Sequence, residues 1–420
     1  MEGNSQKNKR GSVAITVIML MTGLLILITA YIHASKTLAV RGCTREMGLM
    51  WCESVLGEYD LNLQRRYGIF GFYGTVDEIG EKIDRYAMCS FRGKKYVDYK
   101  GAAVQLFDYS LESPLNVRKQ VVAMGKYVAA GDLVKPIPEI HAWKDGSSCV
   151  RGGEEIWTEL PSEGSSGGLS VAALKAALEG LSDPGEVVKE GTDRYFENRY
   201  ILRYFSHEGE KNDLGNTYLD GEVEYILCGK HTDEENRKGV RARITAIRFA
   251  ANMVYILKDP KMNGETMAVA EVITPGPAAV VTQKALQSAW ALAESNNDYK
   301  LLMNGKKVPM VKTQHSWAID LESITGGKVK EEENPKFKSK VPYVDPGNTA
   351  GQEYRDYLEL LCYLMDSDVK ILRLMDLIQI NMRCFYYGDF RLKDYNGGLR
   401  CVLRVNDEEQ EIAKVYQGKP

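Results

Sequence analysis

Five histidines, eight cysteines and a few close carboxylate pairs are the residues through which this 420-residue chain could do chemistry. The histidines, His33, His141, His207, His231 and His315, contain no H-E-x-x-H or other pair at metal-binding spacing. The cysteines, Cys43, Cys52, Cys89, Cys149, Cys228, Cys362, Cys384 and Cys401, form no C-x-x-C and no zinc-like set. Cys43 and Cys52 are nine apart, so on one helix they face nearly opposite sides and cannot bridge. Cys384 and Cys401 flank "FYYGDFRLKDYNGGLR", whose Asn396-Gly397 is a hairpin signal, which leaves open either a cross-strand bridge or ordinary buried thiols, the commoner state. Gly164, Ser166 and Gly168 fit the G-x-S-x-G of a hydrolase nucleophile elbow, but the elbow needs a buried strand before it and a helix after it. Here "TELPSE" precedes it, polar and broken by Pro161, so the match is compositional. Asp366 and Asp368 lie in charge-rich helical surroundings, where a solvated surface is the default. With no Walker-type loop either, the sequence predicts no catalytic residues, no cofactor and no metal ligands.

The strongest physical signal lies at the other end of the chain. From Val13 to Ile32 there are twenty residues without a charge, preceded by a tail carrying Lys7, Lys9 and Arg10. At about 1.5 Å per residue such a helix spans a hydrocarbon core of roughly 30 Å. Eleven of the twenty are Val, Ile or Leu, worth together roughly −3 to −6 kcal/mol of insertion free energy. The apolar run is longer than a signal-peptide core, and Ile32-His33-Ala34 puts a bulky residue where a small one is needed for cleavage. Lys36, Arg41 and Arg45 balance the basic tail, so charge alone does not orient the span. The short tail and long following segment favour tail inside and body outside.

Beyond the anchor, 44% hydrophobic and 26% charged residues with a net charge of −3 describe a globular body and argue against nucleic-acid binding. No proline interrupts Ser35 to Arg66, so the helix is expected to continue as a stalk until Tyr67-Gly68. Helices are predicted over "VDEIGEKIDRYAM" and about Leu115–Ala129. Strands are predicted near "VQLFDYSLE", "EVEYILCG", "FYYGDFRL" and "LRCVLRV", the last two as an antiparallel hairpin. Thr232 with Glu235 reads as a capping box opening an amphipathic helix with Val240, Ile244, Ile247, Ala251 and Val254 on one face. Further helices follow over "MAVAEVI", "AAVVTQKALQSAWALAESNNDYKLL", "YRDYLELLCYLM" and "VKILRLMDLIQINMR". The last two carry apolar stripes, Tyr354, Tyr357, Leu358, Leu361, Leu364 and Met365, then Ile371, Leu374, Met375, Ile378 and Met382. Two polar stretches, one rich in Gly and Ser before residue 170 and one charged around residues 325–351, read as loops.

The opening "KRGSVAITVIMLMTGLLILITAYI" resembles the TadE and TadG-like proteins of tight-adherence pilus systems. The phrases "SVLGEYDLNLQRRYGIFGFYG", "NRKGVRARITAIRFAANMVYIL", "AWALAES", "GKKVPMVK" and "IQINMR" are similar to a family of Gram-positive bacterial surface proteins, whose role is inferred from a pilus-like N-terminus. The resemblance implies prepilin-like processing between Gly11 and Ser12, but the fifth mature position, where such precursors carry Glu, is Thr16. That threonine can bond its own helix and offers no charge to a partner.

The expected fold class is α+β: an N-terminal transmembrane helix extended into a stalk, then a mostly helical body with a few antiparallel strands. The expected order is a cytoplasmic basic tail (1–12), the transmembrane helix (13–32), a helical stalk (33–66), a first extracellular α+β segment (67–143), a Gly/Ser-rich loop (144–169) and a second α+β segment (170–420). The expected function is that of a single-pass, membrane-anchored, non-enzymatic accessory or minor pilin-like protein of a Tad-type pilus or envelope assembly. Its expected partners are the lipid bilayer and other pilus or envelope proteins, with no nucleic acid; the oligomeric state is left undetermined. The alternative is a membrane-tethered extracellular hydrolase acting on envelope polymers.

Overall fold

The computed structural model describes residues 5–134, 154–163, 187–210, 216–326, 342–347 and 350–416, with side chains from Val13 onward except at 132–134, 154–155 and 187–191. His141, Cys149, the Gly164/Ser166/Gly168 match, most of the two polar stretches and the side chains of Lys7, Lys9, Arg10 and Ser12 lie outside what is described. The residues group into two compact units, neither continuous in sequence. The first comprises the chain to Asp60, Gly71–Leu111 and Lys393–Tyr416, and the second Leu61–Phe70 and Glu112–Leu392, with the last four residues. The consecutive segments expected at 67–143 and 170–420 are therefore not how the residues group.

Helix α1 (Ser5–Leu56) is a single run of 52 residues. It stops at Gly57, and a separate short helix α2 (Leu61–Tyr67) follows in the second unit. The expected stalk to Arg66 is thus corrected twice: it breaks ten residues early, and its last turns are core rather than stalk. Val40, Thr44, Gly48, Cys52 and Val55 recur at helical spacing along one buried stripe.

That stripe packs against helix α3 (Val76–Phe91) and a three-stranded antiparallel sheet of β2 (Tyr99–Gln105), β4 (Gly398–Val405) and β5 (Glu408–Val415), in the order β2-β4-β5. Thr75 and Glu78 close a capping box on α3, whose Ile79, Ile83, Ala87 and Phe91 face the core. A Cβ on Gly48 would lie 2.6 Å from Leu403 Cδ1 and still closer to Ile412 Cδ1, so glycine lets α1 approach the sheet. One turn on, Cys52 of α1 and Cys401 of β4 lie within hydrogen-bonding reach of one another. A two-stranded ribbon of β1 (Phe72–Tyr73) and β3 (Tyr395–Asn396) completes the unit.

The C-terminal hairpin is antiparallel, but its strands are β4 and β5, joined by the two-residue turn Asn406-Asp407 with Asn406 in the left-handed region at φ 55°. "FYYGDFRL" is not a strand. Arg383 Nε donates to the Phe390 carbonyl at 2.8 Å and Leu392 N donates to Gln379 at 3.1 Å, which folds this stretch back over the preceding helix. Asn396-Gly397 is where the chain leaves the ribbon for the sheet, not a hairpin tip.

The second unit is helical: α4 (Pro114–Val134), α5 (Val187–Tyr204), α6 (Glu222–Cys228), α7 (Asp233–Lys258), α8 (Pro260–Ile273), α9 (Ala279–Met303), the single turn α10 (Leu321–Ile324), α11 (Tyr354–Leu364) and α12 (Ser367–Phe385). The expected strand at "EVEYILCG" is helix α6. Glu222 and Glu224 occupy its first turn, where carboxylates suit the helix dipole, and Gly229 closes it at φ 65° with its N–H on Tyr225 O. All six residues from Glu222 to Leu227 are buried, so alternation carried no information about face. Thr232 caps α7 by accepting from Glu235 N, but the Glu235 carboxylate accepts from the Thr232 hydroxyl and not from its backbone N–H, so the expected box is half formed. Val240, Ile244 and Ile247 are buried as expected, and the stripe continues through Arg248, Asn252 and Ile256, leaving Val254 exposed. Asp366 caps α12 through the N–H groups of Asp368 and Val369 and separates it from α11. The fold class is α+β, mostly helical, with a few antiparallel strands and a long apolar N-terminal helix.

Candidate membrane anchor and buried polar clusters

From Val13 to Lys36 every side chain of α1 is exposed, although the segment contains almost nothing polar. Among the described residues, α1 is the one helix long and apolar enough to cross a membrane. Its few hydroxyls are turned inward on the helix: Thr29 Oγ1 donates to Leu25 O at 2.7 Å, and Thr22 donates to Ile18 O. Back-bonding of this kind satisfies a hydroxyl that has no water to bond in hydrocarbon. Val13 and Ile32, the expected ends of the span, lie in this exposed stretch, and Gly11, Ser12 and Thr16 lie within the same helix.

The cysteines divide by environment. Cys384, at the end of α12, is disulfide-bonded, and Cys401 is a free thiol on β4, so the cross-strand bridge between them is ruled out. Burial pushes the Cys362 thiol up to about 12 and raises that of Cys228, while Cys89 is exposed. Of the histidines, His33, His231 and His315 are exposed, and His207 is buried with Nε2 3.2 Å from a Glu210 oxygen.

Polar residues do converge, within the second unit, as three largely buried clusters that local spacing did not announce. In the first, Arg248 of α7 meets Asp298 of α9 at 2.9 Å, and Lys312 reaches Glu294 at 2.5 Å and Asp298 at 2.7 Å. Asn252, Ser295 and Tyr357 complete its hydrogen bonds. Burial raises the Glu294 carboxyl despite Lys312 beside it.

In the second cluster Lys370 Nζ lies 2.8 Å from Glu197 Oε2, with Arg118 at 2.7 Å from the other oxygen and Ser367 donating to Oε2. In the third, Glu222 accepts from Ser206 N at 2.8 Å and from Asn381 at 2.6 Å, while Glu224 accepts from Tyr354 at 2.8 Å and Glu208 N at 3.0 Å. Burial raises both of these carboxyls. Chemically, these groups can tie helices together and hold protons. The carboxylates Glu197, Glu222, Glu224, Glu294 and Asp298 are buried, while the Arg118 side chain of the second cluster is 30% exposed. The one local signal for them is polar residues on otherwise apolar stripes, as at Arg248 and Asn252.

The profile of a family described as "Family of unknown function (DUF5702)" matches residues 157–407. The chain belongs to this family. The DUF5702 region begins at Trp157, whose ring stacks on His231 at 4.3 Å, and ends at Asp407 in the β4–β5 turn. It contains the whole first and third clusters and all of the second except Arg118. The apolar part of α1 lies outside it. No curated protein and no solved structure matches the chain.

Proposed function

We propose that the protein is a single-pass membrane protein whose body lies outside the cell and serves as a non-enzymatic accessory or minor pilin-like component of a Tad-type pilus or envelope assembly. The observation that carries this reading is the division of labour along α1: an exposed apolar stretch to about Lys36, then a stripe from Val40 built into a sheet-bearing unit. An apolar helix held this way can be buried in lipid or against other apolar helices, which is what an envelope assembly requires of its parts. The disulfide at Cys384 supports an outside body, since such bonds persist in oxidising compartments. Burial of the carboxylates in all three polar clusters supports a structural role for them. Protease shaving of intact cells tests the topology. Digestion of the body with the tail protected is expected, and a body that survives while the tail is cut from outside would overturn the reading.

A further inference from the structure

The hydrogen bonds along α1 fix which end of the first unit faces the membrane. Gln410 Nε2 donates to Arg41 O at 3.1 Å, Lys414 meets Glu53 at 2.7 Å, and Tyr416 reaches Leu56 O, so β5 runs alongside α1 in the same direction. From Gln410 back to Glu408 is about 7 Å of strand, and from Arg41 back to Lys36 is about 7.5 Å of helix. The Asn406-Asp407 turn is therefore level with Lys36, the first charge after the span. Helix α3 runs the opposite way to α1, pairing Lys82 with Glu58, Ser90 with Trp51 and Lys94 with Cys43. The segment after it, Arg92–Asp98, arrives at the same level and is tied there, with Asn406 N on Asp98 O at 2.7 Å and Asp98 N on Asn406 Oδ1 at 2.8 Å.

This end carries Lys36, Arg41, Arg92, Lys94 and Lys95, with Tyr96 53% exposed among them. Lys94 contacts the Cys43 sulfur and the Phe91 ring, and among the described residues none of the five cations has a carboxylate within ion-pair distance. The acidic residues here are largely engaged: Asp407 pairs with Lys100 at 2.9 Å and Glu409 with Arg404 at 2.9 Å, leaving Asp98 and Glu408 against the five. These cations, of which Lys94 is half-buried, spread along α1 from about 6 Å beyond Ile32 at Lys36 to about 16 Å at the level of Cys43, and with the Tyr96 ring among them they match a phosphate-bearing surface.

The geometry points to this end of the first unit as a binding surface for anionic phospholipid headgroups, formed by Arg92–Tyr96 beside Lys36 and Arg41. It rests on the reading of α1 as a membrane span and holds on either side of the bilayer. Each cation at such a surface contributes a factor of roughly five in affinity at moderate salt.

The test uses the full chain in vesicles of phosphatidylcholine alone or with phosphatidylglycerol, following hydrogen exchange of the backbone amides in 92–98. Several-fold slower exchange with phosphatidylglycerol, reversed by salt and lost in the triple variant R92E/K94E/K95E, is expected. Equal exchange in the two lipids would overturn the proposal, as would slowing by inorganic phosphate over neutral vesicles, which would mark a free-anion site. Salt reversal in the unaltered chain keeps the test decisive if the triple variant misfolds. Alkaline carbonate extraction of the same vesicles reports separately on the span: a chain that washes off fails as an anchor, whereas a retained chain with lipid-independent exchange fails only here.

Discussion

Arg248 Nε and Asp298 Oδ2 lie 2.9 Å apart with neither side chain exposed, joining α7 to α9 across fifty residues of sequence. A buried ion pair is a poor source of net stability, yet removing one partner strands the other charge away from water. Asp298→Ala is therefore expected to lower unfolding free energy by about 3–5 kcal/mol. Glu234→Ala, which breaks the exposed pair with Lys238, should cost far less. Urea denaturation of the two variants in the same detergent checks the contrast.

Glu222 and Glu224 are held protonated more tightly in the folded chain than in the unfolded one, because burial opposes their charge. For a raised carboxyl, the stabilising contribution is fully present below the ordinary value near 4.5 and is lost as pH climbs through the raised folded value. Stability should thus decline with pH above that ordinary value, and Glu224→Gln should flatten the decline. Denaturation midpoints across the acidic to neutral range measure both slopes. Parallel slopes would show that Glu224 does not supply this dependence.

Gly125, inside α4, faces the backbone of α5 so closely that a Cβ would lie 2.6 Å from the Phe196 carbonyl carbon and closer still to its oxygen. A backbone cannot rotate aside as a side chain can. Gly125→Ala should destabilise by about 1–3 kcal/mol despite alanine's better helix propensity, whereas Gly80→Ala, with open space around it, should stabilise by several tenths to about 1 kcal/mol. Thermal unfolding distinguishes the two signs.

The N-terminus provides a fourth expectation. With Thr16 in place of a carboxylate, leaving the bilayer gains no charge pairing to offset the loss of apolar burial, so the chain should keep Lys7, Lys9 and Arg10. Intact mass of protein recovered from membranes decides this. A terminus at Ser12 would make the pilin-subunit reading the leading one.

Legibility followed the range of the interaction. The caps at Thr232 and the stripes through Tyr357 and Ile378 were readable because a helix brings residues three or four apart together. Helix α6 was misread because its glutamates are buried alongside its apolar residues, imitating a strand with one wet face. The β4–β5 hairpin has a weaker turn signal in Asn406-Asp407 than Asn396-Gly397, and it is favoured by pairing with β2, some three hundred residues away. The polar clusters were invisible for the same reason: Lys370 and Glu197 become neighbours only after α5 and α12 pack in one unit.

Because α1 continues without interruption from its apolar stretch into the core of the first unit, there is no joint between them at which motion could dissipate. Each residue added between Ile32 and Val40 would raise the sheet by about 1.5 Å and turn it by about 100° around the helix axis. Tilting or twisting of the helix by lipid or neighbouring helices would likewise swing the sheet bodily, so that the pair behaves as a drive shaft rather than a tether.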